Sequence, residues 1–381
     1  MAGKSVGFYI NTRMKGNAMN ERSVVLVGGD RAQSNAFKSL SGVLEARGVK
    51  VVSFLGHGKP IGVDPLEIEV AVKSAGVVVT GMSSFKPEAL AEILALELAM
   101  RHKVPCGVFQ DTYGVWNREL FRDLMPKVKF IITPDQEEGA AAKRQYLNLE
   151  TVVVGNQDFD SYFFPRFTRE QIRTWLGVDA NTVVVLVSGV KSARVDRPML
   201  KALVESNLDQ VTGKKVIIIY SPHPSRKRPV FPEREFTGLR DSIQIRTIMK
   251  GSRFEGVKMT GNPLLPGADV VMTSVGNLLL GAACRRILPV AFINRFERER
   301  QLGMNGREVW RPLELGFCPI FDADDPTDSL EKTFRLSIGL VNGKLVYPLK
   351  YLEVAEQRFP VPEKPGLPNE RMAKFLSQFV K

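Results

Sequence analysis

The chain has 381 residues, 44% hydrophobic and 25% charged. That length fits two or three domains, and the composition excludes wholesale disorder and collagen. The three cysteines, Cys106, Cys284 and Cys318, are too scattered for a disulfide framework or a paired metal knuckle. With only three histidines, His57, His102 and His223, a reducing cytoplasm and no metal site are expected. The net charge of +12 is uneven: residues 1–165 hold 19 Lys and Arg against 18 Asp and Glu, and residues 166–381 hold 34 against 23. The second half thus predicts an anionic partner (nucleotide phosphates, nucleic acid or a membrane surface), with a generic basic surface as the alternative. The apolar stretch 270–284 is shorter than the ~20 residues a membrane span needs, and the first residues lack the apolar core of a secretory signal.

In chain order, the first half alternates strand and helix signals. Residues 23–27 (SVVLV) form a continuous apolar run stopping at Gly28-Gly29-Asp30, as suits a strand buried on both faces of a parallel sheet. A helix is expected over 34–47, a strand over 50–55, a helix over 64–75 and a strand over 76–80. Residues 87–102 are the clearest helix, with Pro87 at the start, and strands follow over 104–110, 129–133 and 151–154. This is the βα alternation of a doubly wound sheet. The polar stretch 155–160 and the aromatic Tyr162, Phe163, Phe164 and Pro165 read as a linker, with the aromatics packing a hinge. A helix capped by Thr168 and stopped by Gly177 leads to a second alternation. Its strands are expected over 182–187, 215–220, 243–247, 268–273 and 288–293, its helices over 196–211 and 276–285, with a tail helix over 369–380. The expected organisation is an N-terminal domain over 1–160, a second over 168–350 and a tail over 351–381.

Ligands of open α/β sheets sit outside the carboxyl ends of the strands, which selects the loops to inspect. Ser188-Gly189-Val190-Lys191 offers backbone N–H groups and a cation to a phosphate, although it lacks Walker spacing. Gly28-Gly29-Asp30-Arg31 is not a dinucleotide fingerprint. Either segment also fits an ordinary βα turn. His223-Pro224-Ser225-Arg226 is the sharpest feature, because an imidazole and a guanidinium fork leaving a buried strand suit a diphosphate or a sugar carboxylate. Ser274 and Gly276 open a helix, where they hold a phosphate or where Ser274 caps it. Asp30 and Asp111 follow strands of the first domain and are the candidate bases, with loop or cap roles as the alternative; Gly28, Gly29 and His57 line the same side. His102, at a helix end, reads as structural.

From about residue 21 onward the layout resembles glycosyltransferases of the GT-B fold. The likeness rests on "VVVGNQDFDSYFFP", "LGVDANTVVVLVSG", "IIIYSPHPSR" and "GADVVMTSVGNLLLGAACRRILPVAFIN". The non-hydrolysing UDP-sugar 2-epimerases share that architecture. The resemblance implies two Rossmann-like domains facing a cleft, with the tail helix packed on the first. Donor-phosphate contacts would fall to His223 and Arg226. It also implies a ribose-binding Glu, but Gly281 stands at the matching position.

The expected function is a metal-independent glycosyltransferase with no tightly bound cofactor. A UDP- or CMP/CDP-type nucleotide-sugar would bind Ser188, Gly189, Lys191, His223, Arg226, Ser274 and Gly276. The acceptor would be a glycan, a lipid-linked precursor or a small molecule. The alternatives are a sugar-nucleotide epimerase, a silent protein of this fold, and a nucleic-acid-binding or base-glycosylating protein. Peripheral membrane contact through the basic half is a further expectation.

Overall fold

The computed structural model describes residues 22–223, 230, 235–249, 251–338 and 345–380. The chain divides into two compact units, Met1–Gln157 with Gly366–Lys381, and Asp158–Pro365.

The first unit holds β1 (Ser23–Gly28), α1 (Arg31–Glu45), β2 (Val51–Leu55), α2 (Pro65–Lys73), β3 (Ala75–Thr80), α3 (Lys86–Arg101), β4 (Cys106–Phe109), β5 (Phe130–Thr133), α4 (Gln136–Gln145) and β6 (Glu150–Val153). Its strands form one parallel sheet in the order β2-β1-β3-β4-β5-β6. The valine-rich runs of β1 and β3 are buried along their whole length because helices cover both faces. Val25 and Val27 face one core with α2, α3 and α4, whereas Val24 and Leu26 face the other with α1.

The second unit holds α5 (Asp158–Phe163), α6 (Arg169–Leu176), β7 (Val183–Ser188), α7 (Ala193–Glu205), α8 (Leu208–Thr212), β8 (Val216–Ser221) and β9 (Ile243–Thr247). A hairpin of β10 (Arg253–Phe254) and β11 (Val257–Lys258) precedes β12 (Val270–Thr273), α9 (Asn277–Cys284), β13 (Leu288–Ile293) and α10 (Arg295–Asn305). Then come β14 (Ile320–Asp322), α11 (Leu330–Leu336) and α12 (Leu349–Arg358). The sheet is again parallel, in the order β14-β13-β12-β7-β8-β9. Among the described residues no helix is long and apolar enough to cross a membrane.

The structure redraws three parts of the sequence reading. The stretch read as a linker contains α5, whose Tyr162 is buried in the second unit. Its ring lies against Gly281, where a Cβ would come within 2.6 Å of Tyr162 Cε1. No larger residue fits at Gly281 without displacing that ring, so a glutamate there is sterically excluded as the chain is packed. The helix expected over 196–211 is two helices, α7 and α8, broken where Asn207 takes φ 52°. The expected tail also divides. α12 lies in the second unit, whereas α13 (Leu367–Leu376) belongs to the first and packs Met372, Ala373 and Leu376 into the core with α1. Phe375 meets Phe130 edge-on at 4.9 Å, and Asn369 Nδ2 donates to Ser39 Oγ at 3.0 Å.

Two stability predictions follow from this packing. Gly281→Ala should lower stability in urea denaturation by ~1–3 kcal/mol through overpacking against Tyr162, and Tyr162→Leu in the same chain should recover part of the loss. Leu376→Ala should cost the first unit ~2–5 kcal/mol. A loss of under half a kcal/mol would mean that α13 is not part of that core.

Candidate functional site

In the second unit β12, β7 and β8 are neighbours. Their registers pair Met272 with Val187 and Ser188 with Ser221, so Thr273-Ser274, Ser188-Gly189 and Ser221 to His223 leave the sheet side by side at one edge. Ser274 is fully buried, and its hydroxyl has no hydrogen-bond partner among the described residues. The capping alternative for Ser274 is not realised, because α9 is N-capped by Gly276, at φ 119°, with no side-chain cap. A buried unpaired hydroxyl thus lies two residues before the cap, and Asn277, the first residue of α9, donates from Nδ2 to Asp158 Oδ2 at 2.6 Å.

The loop beside it is fixed from below. Asp196, in the first turn of α7, is buried; its Oδ1 accepts the Val190 N–H at 2.8 Å and its Oδ2 accepts the Tyr220 hydroxyl at 2.5 Å. A Cβ on Gly189 would lie 2.8 Å from Asp196 Oδ2 and 2.9 Å from the Tyr220 hydroxyl. Gly189 is therefore required by the carboxylate–phenol pair beneath it. The Gly189 N–H donates to the Ser221 carbonyl at 2.9 Å. Lys191 is exposed and His223 half-buried. Arg226 lies outside the described residues.

The first unit presents a second edge, formed by β1, β3 and β4. Its organiser, Glu92 of α3, was not among the sequence candidates. Glu92 is fully buried; Oε1 accepts the Gly29 N–H at 2.8 Å and lies 2.8 Å from Ser83 Oγ, and Oε2 accepts the Ser83 N–H at 2.8 Å. One carboxylate thus ties the loops after β1 and β3 together. The only sequence signal was a glutamate on the buried side of the clearest helix, Lys86–Arg101. Gly29 is held close to the Glu88 carbonyl of α3, leaving no room for a Cβ.

Both candidate bases belong to this cluster. The Asp30 N–H donates to Ser83 Oγ at 2.8 Å, and Asp30 Oδ2 accepts the Ser84 N–H at 3.2 Å. Asp111 Oδ1 accepts from Gln33 Nε2 at 3.2 Å. A second unforeseen carboxylate, Glu138 of α4, fixes the loop after β4 by accepting the Gly114 N–H at 2.8 Å and the Trp116 indole N–H at 3.1 Å. Gly28 packs on the Phe37 ring. His57 is exposed at φ 50°, and its N–H donates to Ser34 Oγ at 3.0 Å. Partial burial, with Lys38 and Arg31 nearby, holds its imidazole below the usual range. His102 Nε2 lies 3.1 Å from Glu69 Oε1. The three cysteines are buried and unbridged. Among the described residues no group of three or more His, Cys, Asp or Glu could hold a metal ion.

Burial pushes the Glu92 carboxyl up to about 7, against the hydrogen bonds from Gly29 and Ser83, with the Asp30 charge adding to the rise. The folded chain therefore holds this proton more tightly than the unfolded one. Its contribution to stability is full below the ordinary value of 4.5 and is lost as pH climbs through about 7. Over that window the loss amounts to about 3 kcal/mol at most. Urea denaturation across this range should show the decline, and Glu92→Gln should flatten it; equal pH slopes for the two proteins would refute the assignment.

No protein-family model and no curated protein matches the sequence. Solved structures do match across nearly the whole chain. A UDP-GlcNAc 2-epimerase from Neisseria meningitidis, bound to UDP-GlcNAc, is 12% identical with a TM-score of 0.59, covering 93% of this chain and 100% of that one. The S. aureus MnaA–UDP structure is 13% identical with a TM-score of 0.60, covering 94% and 96%. A glycosyltransferase from Rickettsia africae is 13% identical with a TM-score of 0.55, covering 94% and 99%. Together with the two parallel six-stranded sheets, these likenesses identify the fold: two Rossmann-like α/β domains of the GT-B type.

Proposed function

We propose that the protein is a glycosyltransferase that uses a nucleotide-activated sugar. The observation that carries this reading is the buried, unpaired Ser274 hydroxyl before the start of α9, a helix with no side-chain cap. A diphosphate there would accept from Ser274 and from the first N–H groups of the helix, whose dipole favours negative charge. The Ser188-Gly189-Val190-Lys191 loop, held by Asp196, and His223 leave the same edge. Arg226 is proposed to complete the set. The excess positive charge of residues 166–381 favours the same ligand. That structures of this fold carry UDP-GlcNAc and UDP makes a uridine nucleotide the first donor to test.

In this mechanism Asp30 or Asp111 takes the proton of the acceptor hydroxyl. The hydroxyl oxygen bonds to the anomeric carbon, the bond from that carbon to the diphosphate breaks, and the nucleoside diphosphate leaves with the electron pair. Positioning and charge stabilisation at the leaving group do most of the work. The acceptor is a glycan, a lipid-linked precursor or a small molecule, and the proposed setting is the cytoplasm.

Binding of UDP, UMP and uridine tests the donor side. Affinity should fall from UDP to UMP to uridine, and Arg226→Ala should erase the UDP preference. Ser274→Ala should weaken UDP ~10–100-fold, the worth of a hydrogen bond to a charged group. It should leave the unliganded fold equally stable or more so, because the hydroxyl it removes is buried without a partner. Equal binding of uridine and UDP would sink the reading. With a UDP-sugar and an acceptor, Asp30→Asn or Asp111→Asn should slow turnover ~10²–10⁴-fold. An inverted sugar nucleotide formed without acceptor would assign the protein to epimerisation instead.

A further inference from the structure

The loop between β4 and β5 carries another buried group with unmade hydrogen bonds. Arg118 lies between two single 3-10 turns, Val115–Asn117 and Glu119–Phe121. Its N–H donates to the Val115 carbonyl at 3.0 Å and its carbonyl accepts the Phe121 N–H at 3.1 Å, which fixes the backbone from which the side chain departs. That side chain is 8% exposed. Neither Nε nor Nη1 has a hydrogen-bond partner among the described residues. The charge nearest to Nη1 is Asp30 Oδ2, at 3.9 Å, beyond hydrogen-bond reach. That oxygen already accepts the Ser84 N–H.

Asp30 is also the N-cap position of α1. The cap makes no side-chain hydrogen bond, and the first turn of α1 contains no acidic residue. The first N–H groups of a 15-residue helix therefore lack a side-chain acceptor, with the Asp30 carboxylate as the one negative charge of its cap and first turn, beside a guanidinium that is itself short of acceptors. Two other acids of this edge are engaged elsewhere: Glu92 accepts from Gly29 and Ser83, and Asp111 accepts from Gln33. A buried guanidinium with two unmade hydrogen bonds is costly, and a planar fork matches a carboxylate or a phosphate oxygen pair.

We propose that the carboxyl edge of the first sheet binds the anionic group of a small ligand, a carboxylate or a phosphate, between Arg118 and the start of α1. The anion accepts from Arg118 Nε and Nη1 and faces the uncapped N–H groups of the helix, while Asp30 gives up its loose ion pair. If the protein transfers sugars, this ligand is the acceptor, and its hydroxyl is held near Asp30 by the anion one group away. The site itself does not rest on the transfer reading, since it is built wholly within the first unit.

Hydrogen exchange measured by mass spectrometry on the full chain separates the two. The probes are inorganic phosphate and malonate, each compared with sodium chloride at equal ionic strength. At least one anion should slow exchange in residues 29–36 and 112–122. The effect should vanish in Arg118→Met and persist more weakly in Arg118→Lys. Protection by phosphate alone identifies a phosphorylated ligand, and protection by malonate alone a carboxylate. No protection of these residues by either anion in the unsubstituted protein overturns the site, whatever the variants do. Unchanged protection in a folded Arg118→Met protein overturns it as well. Protection confined to residues 273–285 overturns it while leaving the diphosphate reading of the second unit intact.

Discussion

Buried carboxylates that accept backbone N–H groups hold the loops at the carboxyl edges of both sheets in shape. A parallel sheet delivers its loops to one edge but does not join them, because the strand ladder ends where the loops begin. In the first unit Glu92 bridges the loops after β1 and β3, and Glu138 gathers the loop after β4. In the second, Asp196 holds Val190 and the Tyr220 hydroxyl. Each acid sits on a helix packed against the sheet, so each loop is tied to the core rather than left to solvent. A carboxylate that receives two or three short hydrogen bonds is expensive to disrupt, since removing it strands several buried donors together.

This constraint explains glycines that had suggested a different role. Gly189 leaves room for the Asp196–Tyr220 pair, and Gly29 for the main chain of α3. A glycine after a strand invites the inference that a phosphate approaches the backbone, but here the close approach is by the protein's own groups. Among the buried polar atoms that make no hydrogen bond, which also include Thr80 Oγ1 and Gln110 Oε1 at the carboxyl edge of the first sheet, the two that could donate to an anion beside a helix start are the Ser274 hydroxyl in the second unit and the Arg118 guanidinium in the first. Each lies next to a helix start without a side-chain cap. The two proposals rest on those groups, one for a diphosphate and one for the anionic group of a second ligand.

The fold was legible because apolar strand runs such as those of β1, β7 and β8 are continuous, buried on both faces and stopped by glycine, serine or aspartate. The elements that escaped reading lack such a signal. α10 reads RFERERQLGMN, in which arginines and glutamates mask the few apolar contacts, and β14 has three residues. α5 looked like a linker because its turn-forming acids precede aromatics, yet Tyr162 closes over Gly281 from a position 119 residues earlier in the chain. At the sites, sequence found the loops through the carboxyl-edge rule but not the acids that shape them. Glu92, Glu138 and Asp196 lie within helices, and only the fold shows that their side chains turn inward to the loops, Glu92 to Gly29 and Glu138 to Gly114 far away in sequence and Asp196 to Val190 close by.

The central claim is the proposal that the start of α9 receives a nucleotide diphosphate through Ser274. Phosphorus NMR of UDP titrated with the protein tests it most directly. The account predicts that both phosphorus lines shift and broaden, that Ser274→Ala largely abolishes the change, and that the variant remains folded. Phosphorus lines that do not move, or that respond equally to the intact protein and to Ser274→Ala, would contradict it.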